Sequence, residues 1–176
     1  LDPNKLSTDG TVALSGIEIS KDGNLMAYGL SVAGSDWQEW RVRDVRTATD
    51  LPDVIKWVKF SGASWTKDGS GFYYSRYDEP TEAARLTKVN YFHKLYFHRL
   101  GTPQSDDKLV YHRPDQKEWS FGGGVTEDGH YLIITSGQGT DPKNRVLYQD
   151  LMKPDAPVVE LLMDFDADYS FIDNDG

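Results

Sequence analysis

FSGASWTKDGSGFYYSRY, Phe60 to Tyr77, decides the fold. An aromatic and small-residue run, Phe60 to Trp65, meets Asp68-Gly69, and a second aromatic run, Phe72 to Tyr74, follows. Asp-Gly between apolar runs predicts a hairpin, because a tight primed turn needs positive φ and glycine supplies it without a Cβ clash. The same pattern recurs as GIEISKDGNLMAY (Gly16 to Tyr28) and GGVTEDGHYLIIT (Gly123 to Thr135), and SFIDNDG, from Ser170, begins it again. A recurring unit of this kind is a repeat. Its turns fall at Asp22, Asp68, Asp128 and Asp175, giving intervals of 46, 60 and 47 residues. Two of these match the ~40–50 residues of a propeller blade, a four-stranded sheet. The long interval holds the polar stretch Asp78 to Asn90, read as a loop insertion. Asp9-Gly10 has no strand-like run before it and is not counted as a repeat mark.

Between the turns the pattern is strand-like. Leu25 to Leu30 is a short apolar run, and at period two Trp40, Val42 and Asp44 lie on one face of a strand and Arg41, Arg43 and Val45 on the other. In Phe92 to Leu100, Leu95 and Phe97 share one side and Tyr96 and His98 the other. Lys108 to His112, Tyr131 to Ser136 and Arg145 to Leu151 continue the series. Joins are read at Leu51-Pro52, Gly101 to Pro103, Arg113-Pro114, Asp141-Pro142 and Lys153-Pro154. The one helical pattern, Thr81 to Val89, is short. The expectation is an all-β chain: a partial β-propeller of about three to three and a half four-stranded blades, occupying residues 1–176 as a fragment of one domain. Three blades and a fraction leave an apolar blade face uncovered, so the isolated piece is expected to be unstable or to self-associate.

The 176 residues carry a net charge of −9 and no cysteine. That balance argues against nucleic acid and anionic membrane as partners, and excludes disulfides and thiolate metal sites. No run approaches a membrane span, and no signal peptide is read at the N-terminus. A soluble protein of the cytoplasm or periplasm is expected. The absence of a starting Met and the end inside a repeat suggest a piece of a longer protein.

No G-x-S-x-G is present: Gly62-Ala63-Ser64-Trp65 is followed by Thr66, so Ser64 reads as a strand residue. His93, His98, His112 and His130 fit no metal spacing and read as surface or partly buried strand histidines. The recurring acids Asp22, Glu127, Asp128, Asp173 and Asp175 could form a glycosidase pair, but they sit in turns, where Asp accepts backbone hydrogen bonds. Gly122 to Gly124 and Gly137 to Gly139 lack the Lys and helix of a phosphate loop and are expected to permit close backbone approach. Most of the five tryptophans are expected between sheets. No cofactor and no metal is expected.

Five stretches taken together resemble the prolyl oligopeptidase family of serine peptidases: LDPNKLSTDGTVAL from Leu1, AYGLSVAGSDW from Ala27, LPDVIKWVKFSGASW from Leu51, HKLYFHRLGTPQSDD from His93 and TDPKNRVLYQDL from Thr140. The resemblance covers nearly the whole chain and falls within the family's N-terminal, seven-bladed propeller. It implies a separate C-terminal α/β-hydrolase domain carrying Ser, Asp and His, absent from this chain, so no catalytic residue is expected here. It implies a propeller that covers the active site, admits short proline-containing peptides for cleavage after proline, and lends residues to the substrate pocket. By position, Phe60 resembles an aromatic lining the subsite two residues before the proline. Ser120 and Thr140 match two further wall positions, where relatives often carry Met and Cys; polar residues here imply a weaker or differently shaped wall. Asp36 matches an acidic position at the pocket mouth, and an arginine often found near it falls at Gly137. A non-enzymatic propeller serving as a binding platform is the alternative.

Overall fold

The computed structural model describes residues 1–81 and 90–175. All but the first residue of the helical pattern at Thr81 to Val89, and most of the Asp78 to Asn90 insertion, lie outside the described residues. Eleven antiparallel strands form the described fold: β1 (Val12–Ile19), β2 (Leu25–Val32), β3 (Gln38–Asp44), β4 (Thr49–Trp65), β5 (Gly71–Arg76), β6 (Lys94–Arg99), β7 (Lys108–Tyr111), β8 (Trp119–Val125), β9 (Tyr131–Gln138), β10 (Arg145–Asp150) and β11 (Val159–Leu162). The only helical turns among the described residues are short 3-10 segments at Pro3–Lys5 and Gln104–Asp106. None of the described helices is long and apolar enough to cross a membrane.

The strands pair in sequence order as a seven-stranded sheet, β1 to β7, and a four-stranded sheet, β8 to β11. The larger sheet is two meanders sharing the 17-residue β4. The first part of β4 pairs with β3, from Thr49↔Asp44 to Val58↔Gln38. The second part pairs with β5, through Ala63↔Tyr74 and Trp65↔Phe72. Register breaks between Val58 and Ala63; Trp57, just before the break, and Phe60, within it, take φ of 64° and 57°. This bend lets one continuous strand leave one blade and enter the next. The outcome is three four-stranded blades, and β4, as first strand of the second, packs against β1 and β8, the first strands of its two neighbours. The fourth copy, Ser170 onward, adds no strand among the described residues.

Two cores lie between the blades. Ala27, Trp40, Val42 and Ile55 of the first blade meet Trp65, Phe72, Tyr74 and Tyr96 of the second. Tyr73 and Leu95 of the second meet Trp119, Phe121, Leu132, Ile134 and Leu147 of the third. The expected alternation in β6 holds: Leu95 faces the third blade while Tyr96 faces the first. Trp40, Trp65 and Trp119 are buried between blades, whereas Trp37 and Trp57 are half-buried.

The repeat-marking turns differ from the expected primed form. Only the glycines are left-handed: Gly23, Gly69 and Gly129 at 74°, 68° and 77°. Each glycine N–H donates to the carbonyl three residues back, on Ser20, Thr66 or Thr126, at 2.8, 3.0 and 2.9 Å. The hydroxyl of that same residue donates to the turn Asp at 2.6, 2.7 and 2.6 Å. Each Asp also accepts the backbone N–H two residues on, from Asn24, Ser70 or His130. These bonds hold Asp22, Asp68 and Asp128 below the ordinary carboxylate range, led by the Ser20 hydroxyl, the Ser70 N–H and the Thr126 hydroxyl respectively. Ser/Thr-x-Asp-Gly is therefore the full signature of the turn. Asp9-Gly10 repeats part of this bonding, since Thr11 N–H donates to Asp9 at 3.1 Å and Val12 N–H to Ser7 Oγ at 3.2 Å, but it opens β1 instead of joining two strands.

Two further expectations change. Leu51-Pro52 is not a join: β4 runs through it, and the register shift opposite Arg41 and Arg43 forms a bulge that accommodates a residue without an N–H. Gly123 makes room for side chains instead of backbone, since a Cβ there would lie 3.1 Å from Leu95 and 3.2 Å from Leu132.

Candidate functional site

Each blade's first strand runs towards its Asp-Gly turn, so the meander topology sorts every loop to one of two ends. The Asp-Gly turns share one end, where Lys21 pairs with Glu127 and Lys67 Nζ donates to the Asp128 carbonyl at 3.0 Å. The opposite end collects the β2–β3 connection with Asp36, the β4 bend with Phe60, the start of β8 with Ser120 and the β9–β10 connection with Thr140. All four candidate residues therefore lie at one end of the blades.

Asp36 and Phe60 are brought together by a residue that the sequence reading passed over, Lys59. Its side chain is 4% exposed while that of Asp36 is 68% exposed, and the Nζ–Oδ2 distance is 3.4 Å. The same ammonium lies 5.3 Å from the Trp37 ring centroid and 5.1 Å from that of Phe60. Phe60 itself is 67% exposed. An exposed aromatic offers a rigid apolar face to a peptide side chain.

From this cluster an aromatic chain crosses to the other blades. Trp37 meets Trp57 and Tyr77 edge-on, each at 6.1 Å between centroids. Tyr77 lies 4.5 Å from the His93 ring. His93 Nδ1 accepts the Phe121 N–H at 3.0 Å, beside Ser120. Because Nδ1 accepts, the neutral ring carries its proton on Nε2. Burial pushes the His93 imidazole down to about 4. Ser120 pairs with Gly137 across β8–β9, and a Cβ at Gly137 would come within 3.3 Å of Ser120 Oγ. Thr140 stands exposed in the turn after β9; among the described residues no hydrogen bond or ring contact joins it to the other three.

The histidine reading is corrected for two of the four residues. His93 and His98 are 1% and 0% exposed, not surface or half-buried. His98 is held between two carboxylates, with Nε2 3.0 Å from Asp53 and Nδ1 2.7 Å from Asp107. Burial alone would push this imidazole down, but Asp107 and Asp53 outweigh it and hold it raised. Tyr74 donates to the other oxygen of Asp107 at 2.6 Å, and Gly101 N–H donates to Asp53 at 2.6 Å. The cluster ties β4 of the first blade to β6 of the second. Ser64 is a strand residue as expected, its Oγ accepting the Val125 N–H of the third blade at 2.9 Å. The structure offers an exposed aromatic face with charged neighbours, Phe60 beside Lys59 and Asp36; no nucleophile–base pair accompanies it among the described residues.

Over residues 1–176 the chain matches the family described as Prolyl oligopeptidase, N-terminal beta-propeller domain. It is 38% identical to a prolyl endopeptidase of Elizabethkingia meningoseptica, covering 100% of this chain and 24% of that protein. It is 36% identical to prolyl oligopeptidase A of Amanita bisporigera, covering 99% of this chain and 26% of that one. Among solved structures, one from a study of two prolyl endopeptidases and their inter-domain dynamics superposes with a TM-score of 0.88 at 37% identity, covering 100% of this chain and 24% of that one. Prolyl oligopeptidase B of Galerina marginata, bound to a 35mer hydrolysis and macrocyclization substrate, superposes with a TM-score of 0.90 at 31% identity, covering 99% and 26%. The chain thus spans about a quarter of the length of the curated relatives it matches.

Proposed function

The chain belongs to the family of prolyl oligopeptidase N-terminal β-propeller domains, and from that premise we propose that it forms the first blades of a seven-bladed propeller in a proline-specific serine endopeptidase. In this reading a C-terminal α/β-hydrolase domain of the same protein carries Ser, Asp and His. The propeller lies over that active site, restricts entry to short proline-containing peptides by steric exclusion, and lends a wall to the substrate pocket. Cleavage needs a nucleophile, a base and an oxyanion hole, and the hydrolase domain supplies all three.

The observation that carries the proposal is the family match across all of residues 1–176. The gathering of Asp36, Phe60, Ser120 and Thr140 at one end of the blades supports assigning that end to the peptide. Phe60 is the apolar face against the residue two before the proline, and Asp36 is the charge at the pocket mouth. Ser120 and Thr140 give the rest of the wall a polar character. Gly137 leaves no cation beside Asp36, whose charge Lys59 meets instead. The named relatives are peptidases, which disfavours a non-enzymatic binding platform.

The test is Phe60→Ala in the full-length protein, assayed on peptides that differ only two residues before the proline. Losing a buried apolar contact costs ~1–3 kcal/mol in kcat/KM for the bulky members. Unchanged kinetics across the series would remove Phe60 from the pocket.

A further inference from the structure

Lys59 is the least expected residue at this end of the blades. Burial in β4 alternates as a strand should until Val58 and Lys59, which are buried in succession. Trp57 and Phe60, on either side of that pair, both sit in the left-handed region. Such backbone is an outlier for a bulky side chain and persists only where the surroundings over-determine it; it clusters at functional sites. Its effect here is to send the lysine inwards and the phenylalanine out.

The charge is not explained by stability. Desolvating an ammonium costs as much as a single, largely exposed carboxylate partner returns, and a methionine of similar length would fill the space without that cost. What the charge does explain is orientation. The Phe60 ring projects into solvent, and the ammonium lies 5.1 Å from its centroid. The Asp36 carboxylate projects from a connecting loop, and the same ammonium lies 3.4 Å from it. Trp37, 5.3 Å away, completes the cage and is itself braced by Trp57 and Tyr77. One buried cation therefore sets two exposed groups, one on the β2–β3 connection and one on β4.

We propose that Lys59 is a positioning residue that fixes the Phe60 ring and the Asp36 carboxylate together, and so sets the preference for a bulky apolar residue two before the proline. This rests on the reading of Phe60 as a substrate wall. The experiment compares Lys59→Met, Lys59→Arg and Phe60→Ala in the full-length protein. Two peptides are used, one with phenylalanine and one with glycine two residues before the proline. Lys59→Met raises KM for the phenylalanine peptide about tenfold, the scale of losing a desolvated cation–π contact, with kcat held within about twofold. For the glycine peptide KM moves less than about twofold, and Lys59→Arg restores most of the preference. If Phe60→Ala abolishes the preference while Lys59→Met retains it, the role of Lys59 is overturned and the reading of Phe60 stands. If neither variant alters the preference, both fall. A uniform fall in kcat on both peptides marks Lys59 as merely structural and also overturns the proposal. Should Lys59→Met fail to fold, Asp36→Asn decides: it removes the exposed half of the contact, and a preference left at the wild-type ratio refutes the coupling.

Discussion

Leu95 and Gly123 meet where the third blade stacks on the second. Leu95 is fully buried, and a Cβ on Gly123 would lie 3.1 Å from its Cδ1 and 3.2 Å from Leu132 Cδ1. Leu95→Ala removes the branched end of a core side chain and should cost ~2–5 kcal/mol, transfer and cavity together. Gly123→Ala forces a methyl into a space already filled. Overpacking of that size costs ~1–3 kcal/mol, offset by about 0.4–1 kcal/mol from the stiffer unfolded chain. In the double variant the new methyl enters the space that Leu95 vacates. The clash with Leu95 then disappears while the 3.2 Å approach to Leu132 remains, so about half of the overpacking, ~1 kcal/mol, is relieved, and one buried methyl returns about 0.8 kcal/mol. The pair should therefore be less destabilised than the sum of its parts by about 2 kcal/mol, well beyond the agreement expected of independent sites. A multidomain protein need not unfold in one step, so the assay is native-state hydrogen exchange on β6, β8 and β9 in the full-length protein, which reads local opening free energies. Additive losses would refute the packing of Leu95 on Gly123, and with it the stacking of the third blade on the second.

Three further outcomes follow. His93 is neutral in the fold, pushed down to about 4 from an ordinary 6.5, so its stabilisation is complete above pH 6.5 and is lost as pH falls towards 4; the difference is worth about 3 kcal/mol at most, and His93→Gln should lose less protection over that window than the wild type. His98 is held raised, so its contribution is full below its ordinary value and is lost as pH rises through the raised one; the protection gap between wild type and His98→Gln should narrow at alkaline pH, and a gap widening there would contradict the reversed sign. The isolated residues 1–176 expose Ile17 and Ile19 on the first blade and Leu161 and Ile172 near the other end, so light scattering should find self-association, and a monodisperse, cooperatively melting monomer would count against it.

What the sequence made legible was the repeat and its alternation. The Asp-Gly spacing marked each blade because glycine is the one residue that enters the left-handed turn without strain, and the sides of Leu95 and Tyr96 followed from period two alone. The Ser/Thr two residues before each turn Asp stood in plain view but carried no meaning until its hydroxyl was seen bonded to that Asp. Pro52 misled because a bulge inside a long strand and a break between strands look alike in one dimension. The buried histidines were missed because their partners, Asp53 with Asp107 and the Phe121 N–H, are distant in sequence. Lys59 was missed for a sharper reason: a lysine in an aromatic strand reads as solvent-facing, and only the paired left-handed residues on either side turn it inwards. Phe60 was singled out through resemblance alone, since nothing in its own strand distinguishes an exposed aromatic from a core one; its exposure came only with the left-handed backbone at that position.

The most direct test is turnover of two peptides by the full-length protein, identical except for proline or alanine before the scissile bond, with residues 1–176 assayed alone beside it. The propeller-of-a-peptidase account predicts cleavage after proline by the full-length protein, strong preference over alanine, and no turnover by the isolated chain. Equal cleavage of both peptides, no cleavage by the full-length protein, or proline-specific turnover by residues 1–176 alone would contradict it.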